Sequence, residues 1–566
     1  MTRMMKRSIW QTLLLWSLPL AFLLVFFYQP LVAIFRLVFS TQFSQGWKLF
    51  RWSQITKPLG FTLYQAKLST ILTLILGLPA AYLFARFQFA GRKFLRVLIT
   101  IPFILPTVVV AAAFNTLLGP RGWLNLGLMS LFNLSSPPIN MLNSLSAILL
   151  AHVFYNISIV IRMVGSSLSR LNQNLPLVAQ NLGASPWRAF KEVTLPLLMP
   201  SILSATLMVF LFDFSSFGVV LMLGGPQFST LEVEIYNQAM NRFNLPVAGL
   251  LSIVQLVFTL LVSVLINRSN QPRYGKAAMA SESSGLRIAR KGWEKAFVII
   301  MVTVLLLLMV TPTVSLVTRS FFTFEAARGE RGELNTGFTL RYYRELFENR
   351  EKSLFYVPPI LAIRNSIVYA GITMLLATTL GLISVYAIER LSSLSRFLEP
   401  LFMLPLGASA VTLGLGFLIV FGSSVLTQGR FQALIPIAHS LVALPLVIRT
   451  LLPALRGIPA NLRLAATSMG ASPLRVFREV DLPILFRAIV VSLLFAFTIS
   501  LGEFGASSFL SNTAMPTIPV AIFRYLSQPG ALNYGQALAM SSLLMVVCVM
   551  GSFVIEQVRL PGEEVF

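Results

Sequence analysis

Long apolar segments alternate with shorter polar segments along the whole chain. Each apolar segment has about 20 residues or more, the length that an α-helix needs to cross the hydrocarbon core of a bilayer. None shows the strict alternation that is typical of a membrane β-strand. Because helices satisfy their own backbone hydrogen bonds in lipid, the pattern predicts an all-α polytopic membrane protein. The twelve predicted membrane-spanning segments are residues 9–35, 60–86, 94–118, 143–169, 197–223, 247–268, 296–318, 361–389, 398–424, 431–454, 484–510 and 533–558.

Basic residues are concentrated in alternate loops. The loop 119–142 holds only Arg121 and the loop 511–532 only Arg524, whereas the loops on the other side carry several each. Because Lys and Arg favour the cytoplasmic side, we expect both termini to be cytoplasmic. The long loop 319–360 has mixed charge, which the rule constrains weakly, and we place it outside. The residues that set this orientation are Arg92, Lys93, Arg96, Arg188, Lys191, Arg268, Arg273, Lys276, Arg287, Arg290, Lys291, Lys295, Arg456, Arg463, Arg475 and Arg478.

Composition agrees with a membrane protein and argues against a nucleic-acid binder. The 566 residues are 56% apolar and only 11% charged, whereas a soluble domain has about a quarter charged residues. The net charge of +24 follows from the basic cytoplasmic loops, so we interpret it as topological. The first apolar segment is too long for the core of a signal peptide, and we expect it to be a retained helix. The single cysteine, Cys548, predicts no disulfide.

One polar segment occurs twice. Residues 182–196 and 469–483 share a Gly-Ala-Ser-Pro start, a basic middle and a Leu-Pro end, and they lie 287 positions apart, as from Gly183 to Gly470. A duplicated polar loop in a membrane protein indicates a task that both halves perform on the water side. Other matches at a similar spacing extend the repeat: His152 with His439, Val160 with Val447, Gly77 with Gly381, and Phe217-Gly218 with Phe504-Gly505.

The duplication predicts two halves of six spans each. The N-terminal half is 1–268, the C-terminal half is 296–566, and the polar, small and basic residues 269–295 form a cytosolic linker. Six is an even number, so both halves would enter the membrane with the same orientation. We therefore expect direct repeats related by a pseudo-two-fold axis along the membrane normal, with a pathway between them.

The repeated segments lie in two loops, which we name the first elbow (about 171–195) and the second elbow (about 456–482). In the first elbow, Gly183 permits a sharp turn with positive φ, and Ser185 followed by Pro186 is typical of the start of a new helix. The sequence thus predicts a helix–turn–helix on the cytosolic surface in each half.

The first elbow has an apolar side and a basic rim. Trp187, Phe190 and Val193 can fill the groove of a soluble partner, while Arg188 and Lys191 contact its edge. The alternative is an interfacial helix that rests on lipid. We favour docking, because the same turn occurs twice at equal spacing.

Two carboxylates lie inside predicted spans, where ionisable groups are costly and are functional candidates. Asp213 lies 17 residues after Pro196 and Glu503 lies 20 after Pro483, which places both roughly 25–30 Å from the cytosolic end. One interpretation is an acidic outer part of the translocation pathway, and the other is a carboxylate hydrogen-bonded to its neighbours. The matched residues His152 and His439 likewise have two interpretations, a structural role and a role as ligands.

The repeated loops resemble the "EAA" loop of binding-protein-dependent ABC importer permeases, in which Glu-Ala-Ala, three residues and Gly precede an apolar Leu-Pro ending. The second elbow keeps Ala465 and Ala466 before Gly470, and the first keeps Ala179 before Gly183, but neither keeps the Glu. Almost the whole chain is similar to the fused two-half permeases of the iron(III)/thiamine type in this family.

The resemblance implies that both elbows are coupling helices that receive force from an ATPase. Their implied contact residues are Ala179, Gly183, Ala184, Ser185, Pro186, Arg188, Leu195, Pro196, Ala465, Ala466, Gly470, Ala471, Ser472, Pro473, Arg475, Leu482 and Pro483. The implied partners are two copies of a cytosolic ABC ATPase, which bind the ATP, and an extracytoplasmic substrate-binding protein. The implied location is the plasma (inner) membrane of a bacterium or archaeon, and the implied substrate is iron(III), with thiamine as the close alternative.

The chain itself is not expected to be an enzyme or to hold a cofactor or metal. It has no G-x-x-x-x-G-K-[ST] motif, since Gly275-Lys276 is followed by Ala277. Two histidines do not make a zinc cluster.

Two rival classes stay open: a secondary transporter driven by an ion gradient and a membrane scaffold without transport. Neither explains the two elbows. The predicted outside loops, 40–58, 224–246, 319–360 and 511–532, either dock the binding protein through polar contacts or are simply solvated.

Overall fold

The computed structural model describes residues 15–40, 51–172, 174–269, 286–326, 334–347, 359–390, 392–422, 432–512 and 515–558. Among these residues, ten helices are long and apolar enough to cross a membrane, and two sharply bent helix pairs bring the number to twelve. The structure therefore agrees with the all-α fold and the twelve segments predicted. The part of the first segment before Leu15 and most of the linker lie outside the described residues.

The described residues of the first half form eleven helices and one short strand. They are α1 (Leu15–Phe39), α2 (Ser53–Arg86), β1 (Phe87–Gln88), α3 (Arg92–Ile104), α4 (Thr107–Leu118), α5 (Trp123–Phe132), α6 (Leu145–Arg170), α7 (Asn174–Asn181), α8 (Pro186–Phe214), α9 (Gly218–Leu223), α10 (Leu231–Tyr236) and α11 (Leu245–Ser269).

The described residues of the second half form a further eleven helices and three strands. They are β2 (Arg287–Ile288), α12 (Gly292–Ser320), β3 (Phe322–Ala326), β4 (Leu334–Phe338), α13 (Arg341–Arg344), α14 (Pro359–Arg390), α15 (Ser392–Gly407), α16 (Ala410–Phe421), α17 (Leu434–Arg456), α18 (Ala460–Ser468), α19 (Pro473–Gly502), α20 (Gly505–Leu510), α21 (Ile518–Ser527) and α22 (Ala531–Val558).

The described residues form two compact units that differ from the two halves of the sequence. The N-unit contains the described residues of 51–234 and 257–319, and the C-unit contains those of 1–50, 235–256 and 320–566. The first helix of each half thus belongs to the unit that the other half forms. The predicted boundaries mark the sequence repeat and not the packing.

Local contacts explain where the first helices pack. In the C-unit, a Cβ atom on Gly416 of α16 would lie 2.9 Å from Pro30 of α1, so only glycine admits α1 this closely. The Tyr28 hydroxyl of α1 also donates to the Leu401 carbonyl at 3.2 Å. In the N-unit, the Ser315 hydroxyl of α12 donates to Thr116 of α4 at 3.0 Å.

The same close crossing of two helices occurs in both units. In the N-unit, a Cβ atom on Gly77 of α2 would lie 2.8 Å from the Val160 Cβ of α6. In the C-unit, a Cβ atom on Gly381 of α14 would lie 2.5 Å from Val447 of α17. These four residues match in the sequence repeat. The duplication therefore extends to the packing of the central helix pair, where small residues let backbones approach.

Four predicted spans are interrupted. The segment 94–118 is interrupted at Leu105-Pro106, where α3 and the stretch Thr107–Phe132 (α4 with α5) meet at a bend of 110°, because proline removes a helical donor. The segment 398–424 is a second bent pair, α15 and α16. The segments 197–223 and 484–510 each break near their C-terminal end, giving α8 with α9 and α19 with α20.

Two short two-stranded sheets occur among the described loop residues. The antiparallel pair β3–β4 lies in the predicted outside loop 319–360. The parallel pair β1–β2 attaches the end of the linker to the N-unit. The Arg287 guanidinium there lies 5.1 Å from the Phe87 ring centre and 3.0 Å from the Glu294 carboxylate. This part of the linker is therefore ordered against the first half.

Candidate functional site

Both elbows contain the same glycine-terminated turn. In the first elbow, α7 ends where Gly183 has φ of +94°. The Gly183 N–H donates to the Gln180 carbonyl and the Ala184 N–H donates to the Ala179 carbonyl, both at 3.0 Å. This pair of bonds is the Schellman motif, which requires a left-handed residue after the helix and satisfies its last carbonyls.

The second elbow repeats these bonds in the C-unit. Gly470 has φ of +85°, its N–H donates to the Thr467 carbonyl, and the Ala471 N–H donates to the Ala466 carbonyl, both at 3.0 Å. The Ala179 and Ala466 carbonyls thus have equivalent partners. The alanines of the repeated motif therefore lie in a helix whose end is fixed by the glycine turn.

A serine caps the helix that follows each turn. Ser185 accepts from the Arg188 N–H at 3.3 Å, and Ser472 accepts from the Arg475 N–H at 3.4 Å. Proline stands at the first helical position in both cases. A π-helical turn then joins each short helix to its membrane span, at Phe190–Thr194 and Phe477–Asp481. The helix–turn–helix predicted from the sequence is therefore present in both halves.

Replacing each capping serine by alanine tests the local order of the elbows. We expect Ser185→Ala and Ser472→Ala each to weaken the capped turn by about 1 kcal/mol, because one backbone N–H loses its acceptor. The measurement is hydrogen–deuterium exchange of the amides just after the cap, which should speed up roughly fivefold. Ser→Thr at the same sites keeps a hydroxyl and is the control; unchanged exchange in the alanine variants would contradict the capping role.

The exposed surfaces of the elbows are apolar but differ in chemistry. In the first elbow the rings of Trp187 and Phe190 stack with their centres 5.7 Å apart, and both rings and Leu182 are exposed. In the second elbow the exposed apolar side chains are aliphatic or thioether groups, Leu462, Leu464, Met469 and Leu474. Exposed apolar groups on a loop that is predicted to face water indicate an interaction site.

The polar residues at the rim of each elbow form the same kind of ion pair in both halves. The Arg188 Nε donates to the Glu192 carboxylate at 3.0 Å, and the Arg475 Nε donates to the Glu479 carboxylate at 2.9 Å. All four side chains are more than half exposed. Such i,i+4 pairs on a helix surface add little stability, so these groups are available to a partner.

Only the second elbow has a buried carboxylate at its base. Asp481 is 4% exposed; its Oδ1 accepts from the Arg463 Nε at 2.7 Å and its Oδ2 from the Tyr386 hydroxyl at 2.9 Å. The three residues come from α19, α18 and α14. The position matching Asp481 in the first elbow is Thr194. The sequence analysis missed this cluster, although an acidic residue directly before the Leu-Pro ending was a visible difference between the copies.

The candidate pathway residue Asp213 is fully buried in the N-unit. Its Oδ1 accepts from the Asn156 Nδ2 at 2.6 Å and lies 3.4 Å from the His152 Nδ1. The Asp213 backbone carbonyl accepts from the Gln65 Nε2 at 2.7 Å. Its surroundings are side chains of α2 and α6, which favours the hydrogen-bonded interpretation over an open acidic surface.

The candidate pathway residue Glu503 is 7% exposed in the C-unit. Its carboxylate accepts from the Ala506 N–H at 2.8 Å, from the Ser507 N–H at 3.0 Å and from the Ser507 hydroxyl at 3.1 Å. The His439 Nε2 lies 3.1 Å from it. Glu503 therefore caps α20 and contacts a histidine. A role of either carboxylate in the pathway stays a prediction.

The structure brings each histidine next to the carboxylate of its own half, which the sequence analysis did not foresee. The repeat offset was visible in the sequence, but His152 lies 61 residues before Asp213 and His439 lies 64 residues before Glu503. Contacts over such separations depend on which helices pack together, which the sequence does not show. Within the described residues, no group of three or more His, Cys, Asp and Glu side chains could hold a metal ion.

The family model described as binding-protein-dependent transport system inner membrane component matches residues 73–275 and 377–558. The two matched ranges correspond to the two halves of the sequence repeat. Each range includes one elbow.

Three curated relatives align with nearly the whole chain. The thiamine transport system permease protein ThiP of Escherichia coli is 26% identical over 89% of this chain and 89% of its own length. The ThiP protein of Haemophilus influenzae is 25% identical over 94% and 93%. The probable ABC transporter permease protein y4fN of Sinorhizobium fredii is 26% identical over 97% and 95%.

Proposed function

Because the chain belongs to the family of binding-protein-dependent transport system inner membrane components, we propose that it carries both permease halves of one ABC importer and that its elbows dock a separate ATPase. The family assignment makes it a multi-pass inner membrane permease. The observation that carries the docking role is the repeated turn with its exposed apolar side chains. Two elbows of one design fit two copies of an ATPase on the cytosolic side, where both termini of this chain would also lie.

The proposed cycle follows from this arrangement. The ATPase subunits bind and hydrolyse ATP and move the two elbows. Each elbow passes the movement to its own membrane span, because a continuous backbone joins it to α8 or α19. The spans then open the pathway to one side of the membrane at a time, and an extracytoplasmic binding protein delivers the solute to the outer side.

We propose thiamine as the solute, in preference to iron(III). Two of the three relatives described above are named for thiamine transport, and both align with about nine-tenths of this chain. None of the three is named for iron. Iron(III), which the sequence analysis put first, is the second solute to be assayed.

Uptake by right-side-out membrane vesicles tests the substrate. We expect right-side-out vesicles that contain this chain, its ATPase and the binding protein to import labelled thiamine when ATP is supplied inside. Excess unlabelled thiamine should abolish the signal, and ferric citrate should not. Import of iron(III) but not thiamine would overturn the substrate, and import that survives ATP depletion but not loss of the ion gradient would overturn the class.

A further inference from the structure

Each unit contains a histidine that bridges a hydroxyl and a carboxylate where a membrane span breaks. In the N-unit, the break is residues 215–217, between α8 and α9. The His152 Nδ1 lies 3.4 Å from the Asp213 carboxylate before the break, and its Nε2 lies 2.7 Å from the Ser216 hydroxyl within it. His152 is 3% exposed and belongs to α6.

The C-unit has the same arrangement between α19 and α20. The His439 Nδ1 lies 2.7 Å from the Ser500 hydroxyl, and its Nε2 lies 3.1 Å from the Glu503 carboxylate. The Nε2 also lies 2.8 Å from the Ser507 hydroxyl. His439 is 1% exposed and belongs to α17.

Both histidines contact the same two positions of the sequence repeat, but the acid and the hydroxyl at these positions are exchanged between the units. At the repeat spacing of 287, Asp213 matches Ser500, which we call position I, and Ser216 matches Glu503, which we call position II. In both units Nδ1 faces position I and Nε2 faces position II. The acid stands at position I in the N-unit and at position II in the C-unit. We call the histidine with positions I and II a clasp.

The acid stands at different positions in the two clasps, and a comparison of the two shows which feature they share. One carboxylate and one hydroxyl stand at positions I and II in each case, in opposite order, and the C-unit adds the Ser507 hydroxyl beside Nε2. The hydroxyl lies 2.7 Å from its ring nitrogen in both units, whereas the His152 Nδ1 has no hydrogen bond among the described residues and lies 3.4 Å from the Asp213 carboxylate. The common feature is the bridge from the central helix to both sides of the break.

The clasp fixes the direction of the chain at the break. Position I is the last turn of the long span, and position II directly precedes the short helix α9 or α20. The break is also tied to other elements in each unit: the Thr230 hydroxyl donates to the Ser216 carbonyl at 3.1 Å, and the Ser500 hydroxyl donates to the Thr373 hydroxyl at 3.2 Å. The outer end of each span is thereby attached to the central pair of helices.

We propose that His152 and His439 are positioning residues for transport, each of which makes the outer end of a span and its short helix move with the central helices. This role rests on the proposed function. It predicts that the order of acid and hydroxyl is interchangeable and that the bridge itself is required.

Rebuilding the C-unit clasp in the N-unit tests the proposal. The variant Asp213→Ser removes the acid. The variant Asn156→Ala/Asp213→Ser/Ser216→Glu/Val220→Ser gives the N-unit the residues that match Ala443, Ser500, Glu503 and Ser507 of the C-unit. In the second variant, the new glutamate would also cap α9 as Glu503 caps α20.

We expect the single variant to lower the maximal uptake rate at least about fivefold, because it removes the buried carboxylate that lies beside the His152 Nδ1 and accepts from Asn156. The rebuilt variant should return to within about twofold of wild type, since a carboxylate again flanks the imidazole, now at position II as in the C-unit. The KM for the loaded binding protein should not change in either variant, because the clasp is buried. Thr206→Val is the control: its hydroxyl bonds only to the Ile202 carbonyl of its own helix, and its rate should not change.

Two further readouts separate the clasp from the proposed substrate. The melting temperature of the purified protein and the basal ATP hydrolysis of the complex require no known solute, and both should fall in the single variant and recover in the rebuilt one. Absence of thiamine uptake by wild type would count against the proposed substrate. The melting temperature and the basal ATP hydrolysis would then decide whether the clasp proposal holds. A single variant that behaves as wild type, or a rebuilt variant no better than the single one, would overturn the clasp.

Discussion

Replacing Gly183 and Gly470 together by valine is expected to abolish import while the protein still reaches the membrane. Both glycines have positive φ, +94° and +85°, a conformation that costs an L-residue roughly 1–2 kcal/mol and a β-branched residue more. No atom lies within 4 Å of a Cβ atom built on either glycine, so the added Cβ atom meets open space and the effect arises from the backbone conformation. The strain instead favours a different turn, which breaks the Schellman bonds and moves the exposed apolar side chains.

Asparagine and valine variants distinguish the effect of the turn conformation from the effect of adding any side chain. Asparagine tolerates the left-handed conformation, so the double asparagine variant should keep most of the uptake. The double valine variant should lose it at least about tenfold, a change that needs only about 1.4 kcal/mol. Uptake, ATP hydrolysis and co-purification of the ATPase are measured on equal amounts of protein.

The chain offers a matched control for backbone strain. Gly91 also has positive φ, +78°, also lies on the surface before a helix, and has no atom within 4 Å of a built Cβ. It lies outside both elbows. Gly91→Val should therefore leave uptake close to wild type. Normal import by the double valine variant, or equal loss in Gly91→Val, would show that the elbows do not transmit the movement.

The sequence predicted the features that depend on local patterns. Twelve apolar segments, the glycine turns and the serine caps follow from hydropathy and from conformational preferences of single residues. The pairs Gly77 with Gly381 and Val160 with Val447 even identified the two residues that meet at each central helix crossing. Their contact was not inferred, because matching positions in a repeat do not tell which positions touch.

The features that the sequence did not reveal depend on packing between helices. Apolarity alone cannot tell that α1 packs in the C-unit, since every neighbour would bury its surface equally well. The breaks after Phe214 and Gly502 lie in stretches without proline, and the polar residues there, among them Asp213 and Glu503, do not by themselves predict a break. Each clasp joins residues more than 60 positions apart, so the repeat could show Asp213 opposite Ser500 but not the histidine between them.

Removing the carboxylate of Asp481 is expected to uncouple ATP hydrolysis from import at the second elbow. Asp481 joins three helices: α19 carries it, Arg463 lies on α18, and Tyr386 lies on α14. The Tyr386 ring also packs edge-on against Phe477 at 5.5 Å, so the base of the elbow and α14 are attached twice. Movement of the elbow therefore reaches a central helix of the C-unit directly.

The first elbow has no equivalent cluster at the matching positions. Thr194 stands in place of Asp481 and Pro176 in place of Arg463. Tyr82, which matches Tyr386 in the repeat, packs against Phe87 and Phe297 instead. The variant Asp481→Thr thus gives the second elbow the residue of the first. It leaves the Arg463 guanidinium, whose side chain is 28% exposed, without its carboxylate, at a cost of about 1–3 kcal/mol.

We expect Asp481→Thr to lower the maximal uptake rate about tenfold while ATP hydrolysis falls much less, because the Tyr386–Phe477 ring contact alone then attaches the elbow to α14 and less of the movement reaches that helix. The measured quantity is the ATP hydrolysed per solute imported, which should rise. Glu479→Gln is the matched control: it breaks the exposed pair with Arg475, which contributes less than about 1 kcal/mol, and the ratio should stay at its wild-type value. An unchanged ratio in Asp481→Thr, with the elbow still folded by amide exchange, would show that the second elbow drives transport through the α19 backbone alone.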